Sequence, residues 1–263
     1  MMSDKTILDE LASFAKYRVS ESIKQTPLTD LRREAESLPK GLFEFENALK
    51  KPGLSFICEC KKASPSKGII SRDFPYLDIA KEYQEAGADC ISVLTEPKWF
   101  LGSDSYLKQI ARAVNVPCIR KDFTVDEYMI YEAKLLGAKA VLLICSILDK
   151  SQLREYINIC DALGLSALVE AHDEKEIETA LDSSARLIGV NNRNLKDFKV
   201  DTANSRNLRN LVPSDRIFVS ESGIRSVEDI REIKDFGADA VLVGEVLMRA
   251  EDKKALLTEF KKV

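Results

Sequence analysis

The sequence predicts a (β/α)8 barrel preceded by an N-terminal helical extension. Three observations favour this α/β fold class. The chain has 263 residues, a usual length for one barrel, and 45% of them are apolar, enough for a large core. Eight short apolar runs alternate with amphipathic segments, beginning near Ser55, Asp89, Pro117, Ala140, Ser166, Leu187, Arg216 and Ala240. We therefore expect one domain over residues 1–263, in which residues 1–50 form the extension.

The extension is predicted from helical periodicity. Apolar residues recur at helical spacing at Ile7, Leu8, Leu11 and Phe14. Pro27 interrupts this pattern, and a second helix can follow over Leu28–Glu36. We expect three further apolar residues to pack the extension onto one end of the barrel, namely Phe43, Phe45 and Leu49.

The segments between the apolar runs predict the helices of the barrel. Clear helical patterns cover Leu77–Ala86, Glu127–Leu136, Lys150–Leu163 and Val227–Phe236. A glycine at or just after the end of each segment fits a helix end before a buried strand. Short runs without polar alternation suit parallel strands covered on both faces. A doubly wound open sheet is the competing fold, but six strands suit it better and no G-x-G-x-x-G follows the first run.

Composition narrows the functional classes. The net charge of −4 argues against nucleic-acid binding, and the apolar runs are too short to span a membrane. The N-terminus lacks the apolar run of a signal peptide. Six cysteines in apolar contexts indicate a reducing cytoplasm, and no metal-ligand constellation appears. We expect a cytoplasmic protein without metal, and the sequence leaves its oligomeric state open.

Charged residues concentrate where the predicted strands end, which is where barrels of this kind carry their active sites. The predicted strand starts carry far less charge. This asymmetry predicts a site built from the strand ends at Glu59 and Lys61, Thr95 and Glu96, Lys121 and Asp122, Glu170, Asn191 and Arg193, Glu221 to Gly223, and Gly244 and Glu245.

Strand parity adds orientation to this prediction. Alternation along Ser55–Gly68 places Glu59 and Lys61 on one face, at the rim of a core, although a solvated salt bridge on an edge strand fits the same pattern. Lys121 shares parity with an apolar neighbour and should point inward. Near Glu59 and Glu170 it should remain protonated, which favours a proton donor over a Schiff-base nucleophile; a structural ion pair is the alternative.

Two turns predict a phosphate site. Ser222 and Gly223 follow one late strand, and Gly244 and Glu245 follow the next. Glycine lets backbone N–H groups approach an anion, and phosphate sites of this fold often follow strands 7 and 8; ordinary turn chemistry is the alternative.

A long loop and a single histidine lie close to the predicted site residues. The loop over Lys62–Tyr76 is long for a strand-to-helix connection, and its length predicts a lid that closes on substrate. His172, the only histidine, lies two residues past Glu170 and off the predicted inward face, so we interpret it as mostly structural.

Seven motifs occur in order on successive predicted strands, at residues 59–68, 92–96 with 100–103, 120–123, 168–172, 189–195, 220–224 and 242–245. Together they resemble the indole-3-glycerol phosphate synthase family of tryptophan biosynthesis, and the resemblance covers essentially the whole chain. The resemblance implies a lyase without a cofactor that acts on 1-(2-carboxyphenylamino)-1-deoxyribulose 5-phosphate. Ring closure, decarboxylation and dehydration then give indole-3-glycerol phosphate.

The resemblance also implies roles for the residues. The expected catalytic residues are Glu59, Lys61, Lys121, Glu170, Asn191 and Glu221. The expected substrate-binding residues are Ser64, Pro65, Phe100, Phe123, Leu142, Ile144, Arg193 and Leu195. The expected phosphate-binding residues are Lys61, Ser222, Gly223, Gly244 and Glu245. Which glutamate is the base stays open. Another phosphate-binding barrel enzyme, such as phosphoribosylanthranilate isomerase or a Schiff-base lyase, is the alternative function, and a catalytically silent barrel is the non-enzyme alternative.

Overall fold

Eight parallel strands close into a barrel, as the sequence predicts. The computed structural model describes residues 6–194 and 199–263. The barrel strands are β1 (Ser55–Cys60), β4 (Cys90–Leu94), β5 (Cys118–Lys121), β6 (Ala140–Ile144), β7 (Ser166–Ala171), β8 (Leu187–Asn191), β9 (Ile217–Glu221) and β10 (Ala240–Val243). Each strand pairs with its sequence neighbour in the barrel, and β1 pairs with both β4 and β10 to close it. The alternative of an open sheet is therefore wrong.

Helices cover the outside of the barrel and separate its strands. They are α4 (Tyr76–Glu85), α5 (Asp104–Ala113), α6 (Glu127–Leu136), α7 (Lys150–Leu163), α8 (Glu174–Asp182), α9 (Ala203–Arg209), α10 (Val227–Asp235), α11 (Glu245–Arg249) and α12 (Lys253–Phe260). Local signals set several boundaries. Asp149 caps α7 by accepting hydrogen bonds from the N–H groups of Ser151 and Gln152, and Gly164 ends this helix with a φ of 68°.

The N-terminal extension packs on the barrel, and its third helix lies at the amino end. It contains α1 (Ile7–Gln25), α2 (Leu28–Ser37) and α3 (Glu44–Leu49). On α3, Phe45 and Leu49 are buried, and the backbone N–H of Glu46 donates to Ser166 Oγ at 3.2 Å, at the start of β7. The predicted packing of the extension on a barrel end therefore matches the structure for Phe45 and Leu49, whereas Phe43 is only half-buried.

The long loop after β1 has structure of its own. Two short antiparallel strands, β2 (Ala63–Ser64) and β3 (Gly68–Ile69), form a hairpin within the segment predicted as a loop. The intervening Pro65-Ser66-Lys67 makes the turn, and Gly68 adopts a φ of 62°. The hairpin holds Ser64 and Pro65 over the carboxyl end of the barrel. Within the described ranges, no helix combines the length and apolar character needed to cross a bilayer.

Candidate active site

The carboxyl ends of the strands surround a cavity of about 670 Å³. The structure brings seventeen predicted site residues together around it: Glu59, Lys61, Ser64, Pro65, Phe100, Lys121, Phe123, Leu142, Ile144, Glu170, Asn191, Arg193, Glu221, Ser222, Gly223, Gly244 and Glu245. Leu195, also predicted, lies outside the described residues. Of the other predicted strand-end residues, Asp122 also lines the cavity, whereas Thr95 and Glu96 are buried outside its lining. The remaining strand ends thus meet at one concave mouth.

Lys121 lies between two carboxylates at the centre of this mouth. It ends β5 and points inward, with Nζ 3.2 Å from Glu170 Oε2 and 3.3 Å from Glu221 Oε2. Burial disfavours an ammonium group, but Glu221, Glu170 and Glu59 outweigh it and raise the pKa of Lys121 above its usual value. Lys121 is therefore protonated at neutral pH and lies in contact with two acidic neighbours.

Glu221 is the acid whose environment is least favourable to its charge. Burial raises the pKa of Glu221 to about 7, and Glu170 adds to the rise while Lys121 opposes it. Its Oε1 is buried and accepts no hydrogen bond from the part of the chain that the structure describes. A Cβ on Gly189 would come within 2.1 Å of this atom, so only glycine on β8 leaves room for the carboxyl group. Glu221 can therefore hold or release a proton near pH 7.

Glu59 and Lys61 form a second charged pair on β1 and just after it. Lys61 Nζ donates to Glu59 Oε1 at 2.5 Å, and Ser92 Oγ donates to Glu59 Oε2 at 3.2 Å. Burial favours the neutral acid, but Lys61 and Lys121 outweigh burial and hold the pKa of Glu59 below its usual value. Gly244 passes close to the pair, since a Cβ there would lie 2.6 Å from Glu59 Oε1. The solvated edge-strand alternative is therefore wrong.

Glu170 is held as a carboxylate by its neighbours. Although burial opposes ionisation, Lys121 and His172 hold the pKa of Glu170 below its usual value, and a hydrogen bond with Asn191 adds to the effect. Asn191 also accepts a hydrogen bond from the backbone N–H of Arg193 at 3.0 Å. The mouth thus places an ionised acid, Glu170, and an acid with a pKa of about 7, Glu221, on opposite sides of one lysine.

Apolar side chains line one side of the cavity. The rings of Phe100 and Phe123 lie 6.1 Å apart, and Leu142 and Ile144 continue the wall. The buried Glu96 accepts the backbone N–H of Phe100 at 2.9 Å and thereby fixes the turn that presents this ring. A flat aromatic group can therefore lie beside the charged cluster without losing apolar contact.

The opposite side of the mouth is polar. Ser222 and Gly223 adopt φ values of 68° and 97°, a left-handed pair that turns the backbone between β9 and α10. Gly244 and Glu245 connect β10 to α11, and the Glu245 side chain pairs with Arg249 at 3.1 Å. The cations that line the cavity are Lys61, Lys67, Lys121, Arg193, Arg225 and Arg249. An anionic group can therefore be accommodated here even though the whole chain is acidic.

The extension contributes to the site in a way that the sequence does not reveal. Arg18 on α1 binds Asp122 at the end of β5 through two hydrogen bonds of 2.6 and 3.1 Å. Thr95 Oγ1 also donates to Asp122 at 2.6 Å. Ile7 and Leu11, on the same helix, line the cavity. Because Arg18 and Asp122 are 104 residues apart, neither helical periodicity nor strand parity could pair them.

His172 is the second residue for which sequence reasoning was insufficient. The sequence placed it off the inward face and gave it a mostly structural role. In the structure its imidazole lies between Glu170 and Glu176, on the two-residue connection between β7 and α8. Strand parity says nothing about a residue in such a turn.

A closed parallel barrel whose carboxyl-end mouth holds a lysine between acids defines a (β/α)8-barrel enzyme for a small molecule. Comparison with known proteins gives the family. The model of the family "Indole-3-glycerol phosphate synthase" matches residues 8–260. A protein of that name from Ruminiclostridium cellulolyticum is 56% identical over 97% of this chain and 98% of its own length. A protein of the same name from Lacticaseibacillus casei is 51% identical over 97% of this chain and 98% of its own length. The chain belongs to the indole-3-glycerol phosphate synthase family, and the resemblance seen in the sequence is confirmed.

Solved structures support the fold independently. A 3-hexulose-6-phosphate synthase superposes with a TM-score of 0.63 at 17% identity, over 80% of this chain and 99% of its own. The protein KGPDC from Streptococcus mutans superposes with a TM-score of 0.63 at 11% identity, over 80% of this chain and 96% of its own. At such low identity these structures show the barrel fold alone. The predicted (β/α)8 barrel is confirmed.

Proposed function

We propose that this cavity binds 1-(2-carboxyphenylamino)-1-deoxyribulose 5-phosphate and converts it to indole-3-glycerol phosphate, carbon dioxide and water. One observation carries the proposal: a protonated Lys121 lies between Glu170 and Glu221 beside an apolar slot. The reaction needs a proton donor for a ketone next to a site for a flat ring, and the mouth supplies both. The family membership of the chain supports the same reaction.

The first step joins two carbons of the substrate. The aniline nitrogen pushes electron density into the ring, and the ring carbon that bears the carboxylate attacks the ketone. Lys121 Nζ donates a proton to the ketone oxygen as this oxygen becomes a hydroxyl, a general-acid role. The bond to the carboxylate then breaks, carbon dioxide leaves, and the electron pair of that bond restores the aromatic ring. The substrate supplies all the electrons, so this step needs no redox cofactor.

The second step removes water. The new hydroxyl leaves with a proton from a cationic donor, and the neighbouring CH2 group loses a proton to a carboxylate. Glu59 and Glu170, whose pKa values lie below their usual range, are the carboxylates available to accept it. Lys61 lies next to Glu59 and supplies positive charge to the anionic ends of the substrate. Glu221 orders Lys121 and returns its proton, a function suited to a pKa of about 7.

Binding uses the two sides of the cavity differently. We place the aryl ring on the apolar side, formed by Pro65, Phe100, Phe123, Leu142 and Ile144. We place the carboxylate and the sugar hydroxyls near Ser64, Asn191 and Arg193, which offer hydrogen-bond donors. We place the phosphate at Lys61 and at the backbone of Ser222, Gly223, Gly244 and Glu245. The position of the glycines and cations on the polar side supports this orientation.

A lysine substitution tests the proton donor. We expect Lys121→Ala to lower kcat by at least roughly 10²-fold, the range of a general acid. The matched control is Lys139→Ala, which removes a half-exposed lysine paired with Glu44 at the start of β6, away from the mouth. Turnover is followed by the fluorescence of the indole product. Near-normal turnover in Lys121→Ala would remove Lys121 from its role. Borohydride trapping should give no covalent adduct, in contrast to the Schiff-base alternative.

A truncated substrate tests the phosphate site. We expect removal of the phosphate group to raise KM strongly in the wild-type protein. In Gly223→Ala, a Cβ would lie 2.7 Å from Thr202 and would strain a backbone held at a φ of 97°. This variant should weaken binding of the phosphorylated substrate and should hardly affect the truncated one. Equal losses for both substrates would place the phosphate elsewhere.

The cellular location is also a proposal. We place the enzyme in the cytoplasm, because all six cysteines are free thiols and five of them are buried, as expected of a protein in a reducing compartment. The acidic net charge of −4 supports a small-molecule substrate and not a nucleic acid.

A further inference from the structure

His172 lies directly behind the catalytic mouth. The residue occupies the turn between β7 and α8, and its ring is held between two carboxyl groups. Nδ1 is 3.1 Å from Glu176 Oε2, and Nε2 is 3.5 Å from Glu170 Oε1. Glu170 in turn contacts Lys121 through its other oxygen, Oε2. A continuous row of charged groups therefore runs from α8 to the proton donor.

Several contacts hold the turn that carries the imidazole. The backbone N–H of His172 donates to the same Glu176 oxygen at 2.8 Å, and Ser146 Oγ donates to the other at 2.5 Å. Asn204 Nδ2 on α9 donates to the carbonyl of His172 at 3.1 Å. Elements from three parts of the barrel thus hold the backbone of His172 and the carboxylate of Glu176, which places the ring between Glu176 and Glu170.

The orientation favours the charged form of the ring. Nδ1 must carry a hydrogen to bond Glu176, and Nε2 is buried without a hydrogen-bond partner in the described ranges, 3.5 Å from Glu170 Oε1. In a neutral ring with Nδ1 protonated, the lone pair of Nε2 would lie at this distance from a carboxylate, which is repulsive. An imidazolium turns this contact into an attraction.

The charged groups around the ring agree with this reading. Burial lowers the pKa of His172, but Glu176, Glu170 and the more distant Glu221 outweigh burial and raise it above the usual value. From the loop after β6, Ser146 contributes a neutral hydroxyl, and from α9 Asn204 contributes a neutral amide. Three acids therefore act on the ring, and Lys121 contacts one of them, Glu170, through its other oxygen.

We propose that His172 is a positioning residue for the proposed reaction: as an imidazolium it holds Glu170 ionised and directed at Lys121. When Lys121 passes its proton to the ketone, Glu170 loses the positive charge nearest to it. The charge on His172 remains and keeps Glu170 as a carboxylate, ready to accept a proton during dehydration. The inference rests on the proposed function, in which Glu170 acts as a carboxylate.

Nuclear magnetic resonance tests the charge without any turnover. Because the chain has a single histidine, ¹⁵N-labelled imidazole in the tag-free protein reports His172 alone. We expect it to titrate above 6.5, the usual value for histidine, and to titrate at lower pH in Glu176→Gln and in Glu170→Gln. Titration at or below 6.5 in the wild-type protein, or no change in the variants, would overturn the inference.

The pH profile tests the effect on Glu170. In His172→Gln the pKa of Glu170 should rise, so the acid limb of kcat/KM should move to higher pH. A shift of one pKa unit lowers the rate about tenfold on the acid side of the limb and leaves the rate at high pH nearly unchanged. An equal loss at every pH indicates a merely structural role and contradicts the proposal, and so does an unshifted limb.

The proposed function and this inference can fail separately. Full turnover in Lys121→Ala refutes the proposed proton donor and leaves the ¹⁵N titration of His172 untouched. An unshifted acid limb in His172→Gln refutes the inference even when Lys121→Ala is inactive. Thr179→Ala is the matched control, because it removes a hydroxyl on the same helix, α8, that donates to the backbone carbonyl of Lys175 and not to Glu176.

Discussion

The ion pair between Arg18 and Asp122 allows the most quantitative prediction. It joins the N-terminal extension to the end of β5, and the Asp122 side chain is 0% exposed against 18% for Arg18. Burial opposes ionisation of Asp122, but Arg18 and Arg120 hold the pKa of this acid below its usual value. In Arg18→Ala the buried carboxylate loses its bidentate partner.

The size of the effect follows from what Asp122 retains. Removing one partner of a buried pair costs about 3–5 kcal/mol. Thr95 Oγ1 and the backbone N–H of Phe123 still donate to Asp122, which favours the low end of that range. A loss of about 3 kcal/mol in a chain of this size lowers Tm by roughly 6–12 °C. The change in Tm is measured by thermal unfolding at pH 7, monitored by circular dichroism.

Two variants control for unrelated effects of the substitution. Arg33→Ala on α2 removes an exposed arginine paired with Asp30, and we expect a cost below about 1 kcal/mol. The double variant Arg18→Ala/Asp122→Asn should recover part of the loss, because no buried charge is left without a partner. If Arg18→Ala is no less stable than Arg33→Ala, the extension is not held to the mouth by this pair and the reasoning is wrong.

Two further predictions concern Glu221. Gly189→Ala should lower kcat by about 10²-fold, because its Cβ would displace the Glu221 carboxyl group by roughly an ångström. Steady-state kinetics measure kcat, and circular dichroism should show that the variant remains folded. An unchanged kcat would contradict the prediction. Because the pKa of Glu221 is raised by folding to about 7 from 4.5, folding favours its protonated form, and this contribution to stability is lost as pH rises through 7. Relative to wild type, Glu221→Gln should therefore be more stable at pH 8 than at pH 5 in urea titrations, and a pH-independent difference would refute the assignment.

Much of the fold follows from local sequence. Strands buried on both faces need uninterrupted apolar runs, and the apolar run Ala140–Cys145 contains β6, which ends one residue earlier. The helix over Glu127–Leu136 was predicted to the residue, since Asp126 caps its start and Gly137 ends it. Once a barrel is predicted, parity and the rule that sites lie at strand ends place Lys121 and Glu170 in one mouth. These inferences use only short-range patterns and the geometry of one known architecture.

The contacts that the sequence did not reveal depend on long-range geometry. Arg18 is one of several charged residues on an amphipathic helix, and nothing local marks it as the partner of Asp122. His172 reaches Glu170 only because of a turn whose shape is set by Glu176 in the next helix. The hairpin after β1 was missed because two-residue strands give too short a pattern for periodicity to detect.

The central claim is that the mouth of this barrel closes an indole ring. Purified protein is mixed with 1-(2-carboxyphenylamino)-1-deoxyribulose 5-phosphate, and indole fluorescence and carbon dioxide release are recorded together. The account predicts that both products appear in equal amounts in the wild-type protein and that Lys121→Ala forms both at least roughly 10²-fold more slowly. Wild-type protein that binds the substrate and releases neither indole product nor carbon dioxide would contradict it.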